Sequence, residues 1–254
     1  MNVTILQTDI VWGNPLENIS QAESLMASEP DSDLYVLPEM WSTGFATDPT
    51  GIVEEETSSI SLEWMKKTAT DHHCAVCGSL AITTNNRYYN RHYFVDGRNK
   101  VVAYYDKHHL FSYGGEDRFY TPGNTHAIVE YCGLRFLLVT CYDLRFPMWS
   151  RYSDNLQFDA IICVANWPES RQNAWQILTR ARAIENQSYL IGCNRVGNDS
   201  HSNYRGQSAV ISPIGKTICH CSQNVASAST CVISFDELYK KRTKFRVLDE
   251  RDIR

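Results

Sequence analysis

Three residues of this chain have types and settings that together could run a reaction. Cys141 closes an apolar run, Leu134-Arg135-Phe136-Leu137-Leu138-Val139-Thr140, and opens the turn Tyr142-Asp143-Leu144-Arg145-Phe146-Pro147. Glu39 ends Leu34-Tyr35-Val36-Leu37-Pro38, and Lys107 follows Val101-Val102-Ala103-Tyr104-Tyr105-Asp106. A thiol, a carboxylate and an ammonium are thereby offered from three strand ends. Ligands bind at the carboxyl ends of strands in open α/β sheets, so one pocket could hold all three.

A free thiol titrates near about 8.5 and is mostly protonated at neutral pH, so a nucleophilic cysteine needs a base or a positive field. A carboxylate can take the thiol proton and hand it to a leaving amine, while an ammonium stabilises the oxyanion of a tetrahedral intermediate. Glu39, Lys107 and Cys141 supply those roles for amide hydrolysis. Singly, each has a plainer reading as a capping Glu, a surface Lys and a buried Cys. Their joint context favours the chemistry.

The elements that must position them follow from pattern. Asn14-Pro15-Leu16-Glu17 is a helix-start signature, continued by Leu16, Ile19, Ala22, Leu25 and Met26 at helical spacing. A second helix is expected from about Ser58 to Asp71 and a third from Ser170 to Asn186. Strands are expected at Ala75 to Ile82, Ile128 to Tyr131, Leu134 to Thr140, Ala160 to Ala165 and Tyr189 to Asn194. Arg87 to Val95 and Lys100 to Tyr105 flank the hairpin signal Asp96-Gly97-Arg98-Asn99. Past Ser208 come strands at Ser208 to Ile211, Thr217 to His220 and Thr230 to Phe235, then a short helix from Asp236. Strands and helices mix without strict βαβ alternation, which predicts mixed sheets covered by helices.

Bulk properties narrow the partners. A net charge of -5, with Lys and Arg scattered, leaves no footprint for a phosphate backbone, so no nucleic acid partner is expected. The sequence has no basic leader and no apolar run of membrane-spanning length, which predicts a cytoplasmic protein with no membrane partner. With no linker composition, residues 1–254 read as a single domain. Nine cysteines, mostly within apolar runs, read as reduced thiols, and the C-x-x-C of Cys74 and Cys77 reads as strand packing. His72-His73 and His108-His109 lack a third ligand at metal-site spacing, so neither a metal nor an organic cofactor is expected.

Three segments, Leu37-Pro38-Glu39-Met40, Tyr105-Asp106-Lys107-His108-His109-Leu110-Phe111 and Val139-Thr140-Cys141-Tyr142-Asp143-Leu144-Arg145-Phe146-Pro147, resemble the three motifs of the nitrilase superfamily of carbon-nitrogen hydrolases. The resemblance continues through Ala165-Asn166-Trp167-Pro168, Arg180 to Asn186 and Cys193-Asn194-Arg195-Val196-Gly197. It implies a four-layer α-β-β-α sandwich that assembles as a homodimer or higher homo-oligomer. By the same resemblance Glu39 is the general base, Lys107 the oxyanion stabiliser and Cys141 the nucleophile, and Glu116 matches a further family glutamate that holds substrate or Glu39. The block Cys-Tyr-Asp-Leu-Arg-Phe-Pro and the later Ala-Asn-Trp-Pro look most like the omega-amidase branch, which acts on 2-oxoglutaramate or 2-oxosuccinamate. The alternatives are another small amide, such as a deaminated glutathione or an N-carbamoyl compound, and a binding scaffold without catalysis.

Substrate contacts are expected from the Tyr142 backbone N–H, as a second oxyanion donor, and from Trp41, Asn166 and Trp167, just past strand ends. A substrate carboxylate would need a cation: Arg145, Arg182 or Arg195. For Arg145 the favoured reading is instead an ion pair with Asp143 that holds the turn.

Overall fold

The computed structural model describes residues 1–252. Its first half contains β1 (Asn2–Gln7), α1 (Pro15–Ser28), β2 (Leu34–Val36), β3 (Glu54–Glu55), α2 (Ile60–Asp71), β4 (Ala75–Thr84), β5 (Arg87–Asp96) and β6 (Val101–Asp106). The second half contains β7 (Ile128–Tyr131), β8 (Leu134–Thr140), β9 (Ala160–Ala165), α3 (Gln172–Glu185), β10 (Tyr189–Asn194), β11 (Val196–Asn198), β12 (Asn203–Arg205), β13 (Ala209–Ile211), β14 (Thr217–His220), β15 (Ser227–Val232) and α4 (Phe235–Lys244).

Local chemistry sets the boundaries. The Asn14 side chain accepts the Glu17 N–H at 3.2 Å with Pro15 at the first helical position, and the Ser59 hydroxyl accepts the Leu62 N–H at 3.0 Å. In the β5–β6 turn the Asp96 carboxylate accepts the N–H groups of Arg98 and Asn99. Gly97 is required there: a Cβ would stand 2.0 Å from the Ala69 carbonyl oxygen at the end of α2.

One sheet runs β15-β1-β2-β4-β5-β6, with β3 also on β4, and the other runs β14-β13-β10-β9-β8-β7. The centre of each is parallel: β1, β2 and β4 in the first, β8, β9 and β10 in the second. The sheets meet face to face through Val3, Val36, Cys77 and Phe94 on one side and Phe136, Leu138, Ile162 and Ile191 on the other. The outer face of the first packs under α1 and α2, where Leu6, Val76 and Tyr93 meet Ala22, Met26, Leu62 and Met65. The outer face of the second packs under α3, where Leu137, Ile161 and Leu190 meet Trp175 and Ala183. The order of layers is α-β-β-α, as the family resemblance implied. Both faces of the central strands are covered, which is why Ala160 to Ala165 is an unbroken apolar run rather than an alternating one.

The last strand departs from expectation. It spans Ser227–Val232 and pairs with β1, and Phe235 begins α4 rather than ending the strand. The Ser234 hydroxyl accepts the Glu237 N–H and starts the helix there. Among the described residues no helix is long and apolar enough to cross a membrane.

Candidate active site

The three strand ends converge. Past β2, the Leu37 N–H bonds the Cys77 carbonyl at 2.7 Å and keeps the chain beside β4 as far as Glu39. Past β6, the Lys107 N–H bonds the Asn90 carbonyl of β5 at 3.0 Å, and the Gly123 N–H bonds the Lys107 carbonyl at 3.0 Å. A Cβ at Gly123 would lie 2.1 Å from the Asp106 carbonyl oxygen, so only glycine lets that strand end be clasped. Past β8, Cys141 turns sharply with φ 45°, and Met40, next to Glu39, has φ 42°. Left-handed backbone at a non-glycine residue costs on the order of 1–3 kcal/mol and here sits beside both the thiol and the carboxylate.

Asp143 holds the turn at Cys141. Its carboxylate accepts the Thr140 N–H at 3.0 Å, the Tyr105 hydroxyl at 2.7 Å and the His109 N–H at 2.8 Å, so it ties the turn to the segment that carries Lys107. The expected Arg145–Asp143 ion pair is not formed, because these partners already occupy the carboxylate. Arg145 instead lies over the Trp167 ring, 4.9 Å from its centroid, and faces the cavity.

Lys107 is fully buried and its ammonium donates at 2.8 Å to Glu39 Oε1 and at 2.8 Å to Glu116 Oε2, both carboxylates being fully buried too. Glu116 Oε2 also accepts the Phe111 N–H at 2.7 Å. Asn90 Nδ2 donates to Glu39 Oε1 at 2.8 Å and to Glu116 Oε1 at 3.0 Å. Glu39 Oε2 accepts the Asn166 N–H at 2.8 Å, and Asn166 Nδ2 bonds the Glu39 carbonyl at 2.6 Å. An ammonium has three protons; these bonds use two and leave the third for substrate.

The charges shift one another. Burial alone would push the Lys107 ammonium down, but the Glu116 and Glu39 carboxylates hold it well above the usual lysine range. Burial, reinforced by the Glu39 charge, pushes the Glu116 carboxyl up against the pull of Lys107. Burial and the Glu39 carboxylate push the Cys141 thiol well up, while Lys107 pulls it down. With its titration pushed up, Cys141 rests as a protonated thiol, so that proton has to leave before the sulfur can attack.

Cys141 opens on a cavity of about 460 Å³. Its wall includes Tyr142, Arg145, Asn166, Trp167, Phe45 and Phe111. Asn166 Oδ1 is buried and has no hydrogen-bond partner among the described residues. Tyr142, Asn166, Trp167 and Arg145 therefore line the cavity. Trp41 does not: it is fully buried under α2, its ring 5.1 Å from that of Trp64. The left-handed turn at Met40 sends it into the helix-covered layer. Arg182 and Arg195 are also withdrawn, the first bonded to Glu185 and the Leu144 carbonyl, the second to the carbonyls of Val196 and Ile10.

Sequence reasoning missed three contributors. Asn90 gave no signal, being one polar residue inside a strand. Arg171, 5.2 Å over the Phe111 ring, lines the cavity from the segment before α3. The loop between β11 and β12 brings His201 to the same cavity, held by an Asp199 carboxylate that accepts the His201 and Ser202 N–H groups.

The carbon-nitrogen hydrolase model matches residues 2–242. The chain belongs to the carbon-nitrogen hydrolase family. Within that family it is 37% identical to the omega-amidase YafV of Escherichia coli, over 99% of this chain and 97% of the relative. It is 34% identical to a 2-oxoglutaramate amidase of Bacillus subtilis, over 85% of this chain and 84% of that one. A carbon-nitrogen hydrolase superfamily protein of Xanthomonas campestris, solved with an arsenic adduct in its active site, superposes with a TM-score of 0.94 at 32% identity, covering 99% and 97% of the two chains. Nit3 of Saccharomyces cerevisiae, a nitrilase superfamily member, shares the fold with a TM-score of 0.86 at 22% identity over 100% and 97%.

Proposed function

We propose that this carbon-nitrogen hydrolase is an amidohydrolase that cleaves the terminal amide of small 2-oxo acid omega-amides, 2-oxoglutaramate and 2-oxosuccinamate, to the acid and ammonia. The carrying observation is the buried Glu39–Lys107–Glu116 cluster beside a thiol that opens on the cavity. The names of the relatives at 37% and 34% identity support the substrate class.

In the scheme, Cys141 Sγ adds to the amide carbon as its proton passes to Glu39 Oε2. The oxyanion is held by the third Lys107 N–H and the Tyr142 backbone N–H. Glu39 then protonates the amine, ammonia leaves, and a thioester remains. Water gives a proton to Glu39 and its hydroxide attacks the thioester, and the returning proton restores the Cys141 thiol as the acid departs. Glu116 keeps Lys107 charged and aimed from beneath and does not reach the substrate.

The substrate carboxylate is read by Arg145 at the cavity wall, where the guanidinium has no acidic partner among the described residues. We further propose a cytoplasmic homodimer or higher homo-oligomer, supported by the exposed Ile177, Ile184 and Ile214. Sedimentation of the free chain as a monomer at micromolar concentration would reject that assembly. The test of function is ammonia release across 2-oxoglutaramate, 2-oxosuccinamate, glutamine, asparagine, a deaminated glutathione, N-carbamoyl amino acids and simple nitriles. Preference for the first two is expected; equal rates on glutamine or an aliphatic amide would reduce the reading to small-amide hydrolase.

A further inference from the structure

Asn90 touches every charged member of the cluster and is itself fully buried. Its carbonyl accepts the Lys107 backbone N–H at 3.0 Å, and its two amide protons go to the two carboxylates, at 2.8 Å to Glu39 and 3.0 Å to Glu116. The orientation of that amide is fixed by Ser79. Ser79 Oγ already accepts the Met40 N–H at 2.8 Å, so its one proton points to Asn90 Oδ1, also at 2.8 Å. Asn90 Oδ1 must therefore face Ser79, and its NH₂ must face the acids.

The consequence falls on Glu39. Lys107 and Asn90 both donate to Oε1, whereas Oε2 takes the Asn166 N–H alone among the described residues. A carboxylate oxygen with two charge-assisted or buried donors is the poorer place for a further proton. Glu116 is the rival acceptor in the same cluster, since burial pushes its carboxyl up, and the second Asn90 proton favours its ionised form.

We propose that Asn90, oriented by Ser79, is a positioning residue that confines proton transfer in this site to Glu39 Oε2 and keeps Glu116 out of it. The inference rests on the reading of Glu39 as the base. The titratable groups bonded to Asn90 are Glu39, Glu116 and, through its backbone, Lys107; Cys141 and Tyr120 interact with those charges, and the Tyr120 hydroxyl donates to the Ala46 carbonyl at 2.7 Å. Without the Asn90 protons both carboxylates lose a donor to their charged form, and the protonated forms gain.

The test is the pH profile of kcat/KM for the best amide of the panel, in wild type, Asn90→Ala, Ser79→Ala and Glu39→Gln, with near-ultraviolet circular dichroism to confirm native packing. Asn90→Ala should lose at least about tenfold in kcat/KM at neutral pH, and its acidic limb should move to higher pH by about one unit, the scale of one hydrogen bond to a charged group. Ser79→Ala frees the amide to rotate and should move the limb the same way by less. A folded Asn90→Ala enzyme with the limb of wild type, whatever its rate, overturns the inference, because a packing defect lowers the rate without moving the limb. Should Asn90→Ala fail to fold, Ser79→Ala decides by the same criterion. If Glu39→Gln turns over normally, the assignment of the base falls first, and separately.

Discussion

Asn166 grips Glu39 twice: its backbone N–H donates to Oε2 at 2.8 Å and its side chain donates to the Glu39 carbonyl at 2.6 Å. The two residues follow strands of opposite sheets, β9 and β2, so this pair joins the sandwich at its catalytic end. Asn166→Ala should lower kcat/KM for amides by about tenfold, because Glu39 loses the side-chain half of that grip. A change below threefold would mean that the side-chain bond does not position Glu39.

Cys141→Ala should abolish ammonia release and leave the fold intact, since the cavity side of Cys141 has no packing partner to lose. Undiminished turnover in that variant would end the thioester scheme.

Lys107 draws the Cys141 thiol down while burial and Glu39 push it up. Lys107→Met removes the lowering influence, so the pH midpoint for alkylation of Cys141 by iodoacetamide should rise. Turnover should fall by at least about 10² to 10³, the usual loss for one oxyanion donor. An unmoved midpoint would mean that the ammonium does not sense the thiol.

Glu39→Gln acts on the same thiol with the opposite sign, because a charge that raises it is gone. Alkylation of Cys141 at neutral pH should become faster even as turnover is lost. Intact-mass spectrometry after mixing with substrate should show the acyl-enzyme, since no base remains to activate water. Normal turnover would pass the base role to Glu116.

Arg145→Met should raise KM for 2-oxoglutaramate by about tenfold to a hundredfold, the worth of a hydrogen bond to a charged group, and barely change KM for pentanamide. Arg171→Met is the comparison, because Arg171 lines the same cavity without an acidic partner among the described residues. If neither substitution separates the acid from the neutral amide, the cavity does not read a carboxylate.

Glu39, Lys107 and Cys141 were legible because each ends an apolar run, and the end of a strand is visible in one dimension. Strand limits such as Leu134–Thr140 and Ala160–Ala165 were legible for the same reason, as runs covered on both faces. Asn90 was hidden because its role depends on register: it lies across from Ala81 and two strands from Glu39, which no local pattern records. Trp41 misled because a left-handed residue beside it reverses the direction of the chain, and Met40 carries no glycine to announce that. The arginines misled because unpaired and paired guanidinium groups look alike in sequence. Asp143 was taken for a partner of Arg145 when its lone pairs were already claimed by Thr140, Tyr105 and His109.

Glu39, Lys107 and Glu116 show no exposed surface, and Cys141, at the cavity, is 9% exposed. The floor of the site is sealed, so ammonia departs through the same cavity by which water enters. Added ammonia competes with water for the waiting thioester and regenerates the amide, so it lowers kcat as well as kcat/KM, and a reservoir of its own product slows this enzyme from within the cycle.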